Sequence, residues 1–418
     1  GTAVLLAAAG ERWEAEALDR LERRGSGTVL ARRCVDLTDL LATATAGLAN
    51  VAVLSSTLPG LDADSVSRLR TSGVAVVAVL PAEGAPADAE RMRRLGVDHL
   101  LGAAELESLV ETVSAAGTAV LDPPGPTPQP AGTGGGESRG EEGRFPSGRV
   151  LAVWGPTGAP GRTTVAVGIA TELARAGVEV LLADVDPYGG AVAAHLGVLD
   201  EVSGLLAAAR AANTGQLDGV RLAGLARRLG EGLRVLTGLP RPDRWQEVRP
   251  AAFGELLEEA ARLSPWLVLD TGFSLEADPL PAFGGAGPGR NQMTLAALAR
   301  ADEVVVVGAA DPVGLARLAR GLVELHELLP AVRPRVVVNR TRSTLGWSDR
   351  EIRGMVEGFV RCLDVHFLPE DRAAADRALM AGRSLAESGD SALRRAMTEL
   401  AQGVLGRPAD RLPARRRR

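Results

Sequence analysis

The sequence predicts an α/β protein made of two doubly wound, mostly parallel α/β domains. Three observations predict this: short apolar runs alternate with longer amphipathic stretches; residues 121–148 interrupt the alternation with Pro, Gly, Ser and charge; and a glycine-bearing turn at 155–164 joins an apolar run to an Ala/Val-rich stretch. A length of 418 residues leaves room for two cores. Aromatics are only 3% of the chain, so those cores must be filled with Ala, Val and Leu.

In the first domain, residues 1–120, the runs Ala3 to Ala9, Val51 to Leu54, Val74 to Leu80 and Asp98 to Leu101 read as parallel strands. Glu11 to Arg24, Thr38 to Leu48, Asp64 to Ser72, Ala87 to Leu95 and Leu106 to Ala115 carry helical periodicity between them. The size and five-unit rhythm resemble the receiver domain of two-component signalling, without its functional residues. A receiver's phospho-accepting Asp stands four residues before a Pro, and Pro59 puts Ser55 there. Its magnesium carboxylates are replaced by Ala8, Ala9 and Gly10, with only Glu11 following. Its late lysine is impossible, because all 47 basic residues of this chain are arginine. A pseudo-receiver that docks or dimerises is therefore expected, with a phosphorylated switch as the alternative.

Residues 121–148 read as a flexible linker. Beyond it, in a domain expected over 149–405, strands are predicted at Arg149 to Trp154, Glu179 to Ala183, Leu233 to Thr237, Trp266 to Leu269, Glu303 to Val307 and Arg335 to Val338. Helices are predicted at Thr163 to Ala176, Phe253 to Leu263, Leu295 to Ala299, Gly314 to Leu329, Asp349 to Val360, Ala373 to Met380 and Ser391 to Leu405. In the last of these, Leu393, Met397, Leu400 and Val404 recur at 3–4 spacing, which points to packing on the core, with membrane docking the lesser alternative.

Gly155-Pro-Thr-Gly-Ala-Pro-Gly-Arg-Thr-Thr164 lies between the first of these strands and its helix. A strand, a glycine-rich turn and a helix N-terminus together aim backbone N–H groups and a positive dipole end at phosphate oxygens. The strict pattern G-x-x-x-x-G-K-S/T fails, since Pro156 replaces the first Gly and Arg162 the Lys. Gly161 is kept where backbone must approach phosphate, and Thr163 keeps a hydroxyl suited to Mg²⁺. Arg162 keeps the charge in a wider, planar group. Asp184 and Asp186 end the second strand and Asp270 ends the Trp266 strand, at the sheet edge where open α/β sheets bind ligands.

With these pieces the chain resembles the MinD/ParA superfamily of deviant-Walker P-loop ATPases. The family pattern K-G-G-x-G-K-T-T falls on Thr157, Gly158, Ala159, Pro160, Gly161, Arg162, Thr163 and Thr164; D-x-D-P on Asp184 to Pro187; D-T-G on Asp270 to Gly272; and the late Asn-Arg on Asn339 and Arg340. The resemblance implies ATP and Mg²⁺ as ligands, with Thr163, Asp184 and Asp270 at the metal. It implies that Asp186 orients the attacking water and that Arg162 stands for the phosphate-binding lysine. It further implies that Asn339 and Arg340 meet adenine, with Pro369 and Asp371 in the closing loop beside it, and that two copies sandwich the nucleotide. The family's signature lysine, which reaches the partner's phosphates, is Thr157 here. An in-trans cation of that kind is worth about 10³ or more in rate, about 4 kcal/mol, so binding with weak or absent hydrolysis is expected.

A receiver-like domain ahead of such an ATPase is the layout of CpaE and TadZ proteins, which localise the machinery of tight-adherence (Flp-type) pili. The resemblance thus implies a localisation or assembly factor with pilus, secretion or polar proteins as partners. The alternatives are an active partition or septum-positioning ATPase and a nucleotide-free scaffold. Plainer readings stand beside these: Asp184 or Asp186 as helix caps and Asn339-Arg340 as an ordinary turn. Cys34 and Cys362 fall in different domains, and His99, His195, His326 and His366 lack ligand spacing, so no other metal site is expected. Net charge is −5, which gives no overall drive toward nucleic acid or anionic membrane. The tail, residues 406–418, ends in Arg415 to Arg418, which can touch lipid or DNA by charge or simply be solvated. No leader or membrane span is seen, so a cytoplasmic protein is expected, peripheral at the inner membrane face or cell pole if the tail engages lipid.

Overall fold

The computed structural model describes residues 1–81, 85–121, 148–158, 160–199, 202–277 and 289–406. The linker expected at 121–148 and the arginine tail lie almost wholly outside them. The chain forms two compact units, Gly1–Arg144 with Arg210–Leu217, and Phe145–Ala209 with Asp218–Arg418.

The first unit alternates β1 (Thr2–Ala7), α1 (Glu14–Glu22), β2 (Thr28–Arg33), α2 (Leu37–Thr45), β3 (Val51–Ser55), α3 (Ala63–Thr71), β4 (Ala75–Leu80), α4 (Ala85–Arg94), β5 (His99–Gly102) and α5 (Leu109–Leu121). Its parallel sheet has the order β2-β1-β3-β4-β5, the doubly wound arrangement of flavodoxin-like folds. Val4, Leu6, Val53, Val77, Leu109 and Val113 fill one core layer. The strand β2 was not expected. It is an edge strand of sequence TVLARR whose side chains are mostly exposed, so it has no continuous apolar run to betray it.

The second unit contains β6 (Arg149–Trp154), α6 (Arg162–Arg175), β7 (Val180–Val185), α7 (Val192–His195), the start of α8 (Gly204–Asn213), whose residues from Arg210 count with the first unit, α9 (Gly219–Leu225), β8 (Arg227–Arg228), β9 (Leu233–Leu236), α10 (Pro250–Leu263), β10 (Trp266–Thr271), α11 (Gln292–Arg300), β11 (Glu303–Ala309), α12 (Pro312–Leu328), β12 (Arg335–Thr341), α13 (Asp349–Glu357), β13 (Asp364–Pro369), α14 (Arg372–Ala381) and α15 (Ala392–Val404). The eight-stranded sheet runs β13-β12-β11-β6-β10-β7-β9-β8, parallel except for the two-residue β8. The strands β8 and β13 and the helices α7 to α9 were not foreseen. Asp364–Pro369 mixes Asp, His and Pro with its apolar residues and stands at the sheet edge, which hides the usual signal.

Both faces of this sheet are covered. On one, α6 packs with α15, and Leu393, Met397, Leu400 and Val404 are all buried. A Cβ on Gly168 would come within 2.6 Å of the Met397 sulfur, so glycine is what lets the two helices approach. On the other face Trp154, Leu315, Leu318, Leu322, Ile352 and Val356 form the core. Caps define most helix starts: Asp311 accepts from Val313 and Gly314 N–H, Asp371 from Ala374 N–H, and Ser348 with Glu351 forms a capping box. The start of α6 has no side-chain cap.

Candidate nucleotide site

Five fully buried residues of β6, Val150 to Trp154, and the neighbouring strands β10 and β11 hold the base of the 155–161 loop in place. A Cβ on Gly155 would lie 2.2 Å from the Val307 carbonyl oxygen, so the loop can leave the strand there only as glycine. Gly158 and Gly161 both take φ of 104°, a left-handed conformation that ordinary residues avoid. Ala159 lies outside the described residues. After Gly161 the first turn of α6, Arg162, Thr163 and Thr164, begins without a side-chain cap, and the amides of a helix's first turn have no partner within the helix.

Strand register brings the carboxylates together. Asp270 on β10 pairs directly with Asp184 on β7 and with Val153 on β6. The Thr163 hydroxyl donates to Asp270 Oδ2 at 2.7 Å, while Oδ1 is buried without a hydrogen-bond partner among the described residues. Asp184 accepts from the amides of Val192 (3.1 Å) and Asp186 (3.3 Å). Two glycines enclose it: a Cβ at Gly190 would sit 2.4 Å from its Oδ1, and one at Gly238 2.6 Å from its Cγ. Asp186 accepts from Tyr188 N–H at 2.8 Å and stands 3.8 Å from Arg162 Nη2.

Burial raises all three carboxyls. It pushes Asp184 up to about 7, assisted by the charge of Asp186 and opposed by the two amides. Asp270 is driven well above the carboxylate range by burial and then by Asp184. Asp186 is raised by burial against the pull of Tyr188 N–H, Arg162 and Arg290. The donor set of carboxylates and a threonine hydroxyl suits a hard divalent cation, and an orphaned buried Asp270 oxygen beside Thr163 is what such a cation, directly or through water, would satisfy. Among the described residues no group of three or more His, Cys, Asp or Glu forms a closed metal cage.

The arginine in the lysine position is turned into the loop. Arg162 Nη1 donates to the carbonyls of Gly155 (3.2 Å) and Pro156 (3.3 Å), and its guanidinium lies 6.0 Å from the Phe273 ring centre. Asn339, expected at adenine, spends its amide on the loop, with Nδ2 donating to the Pro160 carbonyl at 2.8 Å. Arg340 follows in a left-handed conformation where the β12–β13 register breaks. Pro369 ends β13, and Asp371 caps α14; among the described residues no hydrogen bond ties either to the loop. Gly190, Gly238 and the Tyr188–Phe273 ring pair (4.6 Å) were not singled out beforehand. Tyr188 is the chain's one tyrosine and directly follows Asp-Val-Asp-Pro, which was the available signal.

No protein-family profile and no curated protein sequence matches the chain. Solved structures do. The ParA family ATPase of Chlorobium tepidum is similar at 19% identity with a TM-score of 0.50, over 60% of this chain and 98% of that one. MinD of Pyrococcus furiosus follows at 21% identity and a TM-score of 0.49, over 62% and 99%. The septum site-determining MinD of Pyrococcus horikoshii, a complex with Mg-ADP, is similar at 19% and 0.47, over 61% and 95%. The chain therefore carries the fold of the MinD/ParA-type P-loop ATPases. No described helix is long and apolar enough to cross a membrane.

Proposed function

We propose that this protein binds ATP with Mg²⁺ at the 155–164 loop, turns it over slowly or not at all, and uses the bound state to localise or assemble a surface machine of the tight-adherence pilus or secretion type, as CpaE and TadZ proteins do. The observation that carries the reading is the meeting of the uncapped α6 amides with the Thr163–Asp270 hydrogen bond and its orphaned carboxylate oxygen. In this reading the amides of Arg162 to Thr164 hold the polyphosphate, and Thr163 and Asp270, with Asp184 behind them, hold the cation. Mg²⁺ would supply charge neutralisation at the phosphate oxygens. Asp186, fixed by Tyr188 N–H, is oriented to accept a hydrogen bond from a water, and Asn339 keeps the loop in shape.

Slow turnover follows from the cations. Thr157 brings no charge, and Arg162 is engaged with two loop carbonyls and faces Asp186. The first unit supports a docking role over a phosphorylated one: Ser55 is buried at the acceptor position with its hydroxyl 2.8 Å from Thr57, and Glu11, the lone acidic residue after β1, accepts from Thr57. Two copies closing on the nucleotide are part of the proposal. A working partition-type ATPase is the second reading, favoured by the retained Asp186 and Thr163.

Titration of the full chain with labelled ATP, with and without Mg²⁺, followed by turnover assays with and without DNA or anionic vesicles, tests these readings. Mg²⁺-dependent binding with negligible turnover supports the proposal. Brisk stimulated hydrolysis supports the second reading, and absence of binding leaves a scaffold.

A further inference from the structure

We infer that Arg317, on α12, supplies in cis the phosphate-contacting cation that Thr157 does not, a role that rests on the nucleotide-binding reading above. The loop needs such a group because its own arginine is already committed to Gly155, Pro156 and the neighbourhood of Asp186. Arg317 lies on the loop's backbone. A Cβ built on Gly158 would meet Arg317 Nη1 at 2.2 Å and its Cζ at 3.2 Å. The φ of 104° favours glycine at 158, and the absence of a side chain there leaves room for the guanidinium against the loop.

The guanidinium also makes no direct contact with a carboxylate. Among the described residues it has no hydrogen-bond or ion-pair partner, and Asp311, which lines the same cavity, accepts through Oδ1 from the α12 amides of Val313 and Gly314. With Pro156, Thr157, Gly158, Asp311 and Arg340 it lines a cavity of about 50 Å³, and with Pro156 and Thr157 it also borders a larger one of about 790 Å³. The helix that carries it is firmly seated. Leu315 and Leu318, on either side of it in the helix, are buried in the core, and Gly308 and Gly314 allow α12 to press against β11: a Cβ at either would fall within 2.6 Å of Leu318 or Ala309. A guanidinium pre-positioned at a phosphate loop, with no partner to surrender, presents its planar donors to anionic oxygens without the reorganisation that a solvated side chain would require.

A terminal-phosphate contact predicts discrimination between nucleotides. Calorimetric or fluorescence titration of the full chain with Mg-ATP and Mg-ADP is compared for the native protein, Arg317→Gln and Arg317→Lys, with melting curves for each. Arg317→Gln is expected to weaken ATP about tenfold or more, as for loss of a charged hydrogen bond, with ADP changed less than about threefold, and Arg317→Lys to recover part of the ATP affinity. Equal losses for ATP and ADP, or unchanged affinity for both, would overturn the assignment while leaving nucleotide binding intact. Native protein that binds neither nucleotide overturns the underlying reading, and this one with it.

Discussion

The turn at Gly161 offers a quantitative test of the loop. Its φ is 104°, and an added Cβ would stand 2.4 Å from Asn339 Nδ2, the same amide that donates to the Pro160 carbonyl at 2.8 Å. Replacing Gly161 by Ala therefore acts twice. The left-handed backbone with a side chain is worth about 1–2 kcal/mol, and pushing the Asn339 amide away strands a buried donor and acceptor at about 1–3 kcal/mol. The sum, about 2–5 kcal/mol, is a large part of the stability of an ordinary domain. Asn339→Ala forfeits the same hydrogen bond but opens space for the methyl. On the Asn339→Ala background the Gly161→Ala change should cost only the backbone term, so the two single losses together should exceed that of the double variant by about 1 kcal/mol or more. Urea unfolding of the native protein, both single variants and the double variant measures this coupling. Losses that add to within about 0.5 kcal/mol, or a Gly161→Ala protein with the native midpoint, would refute the argument.

Three further outcomes are expected. Asp184 has its folded pKa raised from 3.8 to about 7, so the folded state holds a proton that the unfolded chain has released; its contribution is intact below about pH 4 and is lost as pH climbs toward 7. Urea midpoints of the ligand-free protein over that window should fall with pH, less steeply in Asp184→Asn, and an identical slope in the variant would reject buried protonation at this site. Thr157→Lys restores a cation at an exposed loop position and should raise single-turnover ATP hydrolysis at least about tenfold; a flat rate would place the deficit elsewhere. Leu400→Ala, removing a fully buried side chain of α15, should cost about 2–5 kcal/mol in unfolding experiments, whereas a loss below about 1 kcal/mol would mean that α15 does not hold the core over α6.

How much of this was legible follows from where each residue's determinants lie. The central strands are continuous apolar runs because both their faces are buried, and β6, β10 and β11 read out within a few residues. The edge strands β2 and β13 are half-solvated and mix charge into the run, so periodicity fails there. The carboxylates Asp184, Asp186 and Asp270 could be placed at strand ends from local sequence alone. That Asp184 and Asp270 stand side by side is a matter of β7–β10 register, and the glycines that enclose Asp184 come from two other segments. Arg317 was invisible for the same reason: its meaning arises from a loop some 160 positions earlier, and nothing in the α12 sequence distinguishes it from the neighbouring Arg320.

In the proposed reading the two sides of the site differ in character. The anionic side keeps every oxygen that a metal-bound polyphosphate needs: a threonine hydroxyl on one Asp270 oxygen, the other left free, and Asp184 buried beside it. Burying these carboxyls against their solvation is a persistent cost, seen in their raised pKa values, and a structure kept only as a scaffold would gain stability by replacing them with apolar side chains. The cationic side, by contrast, consists of arginine, with Arg162 folded onto the loop carbonyls and Arg317 of α12 lying against Gly158. Under the proposed function, that combination suits holding a nucleotide more than cleaving it quickly. The separation is measurable, because Asp270→Asn should abolish Mg²⁺-dependent binding, whereas Arg317→Gln should alter only the preference for ATP over ADP.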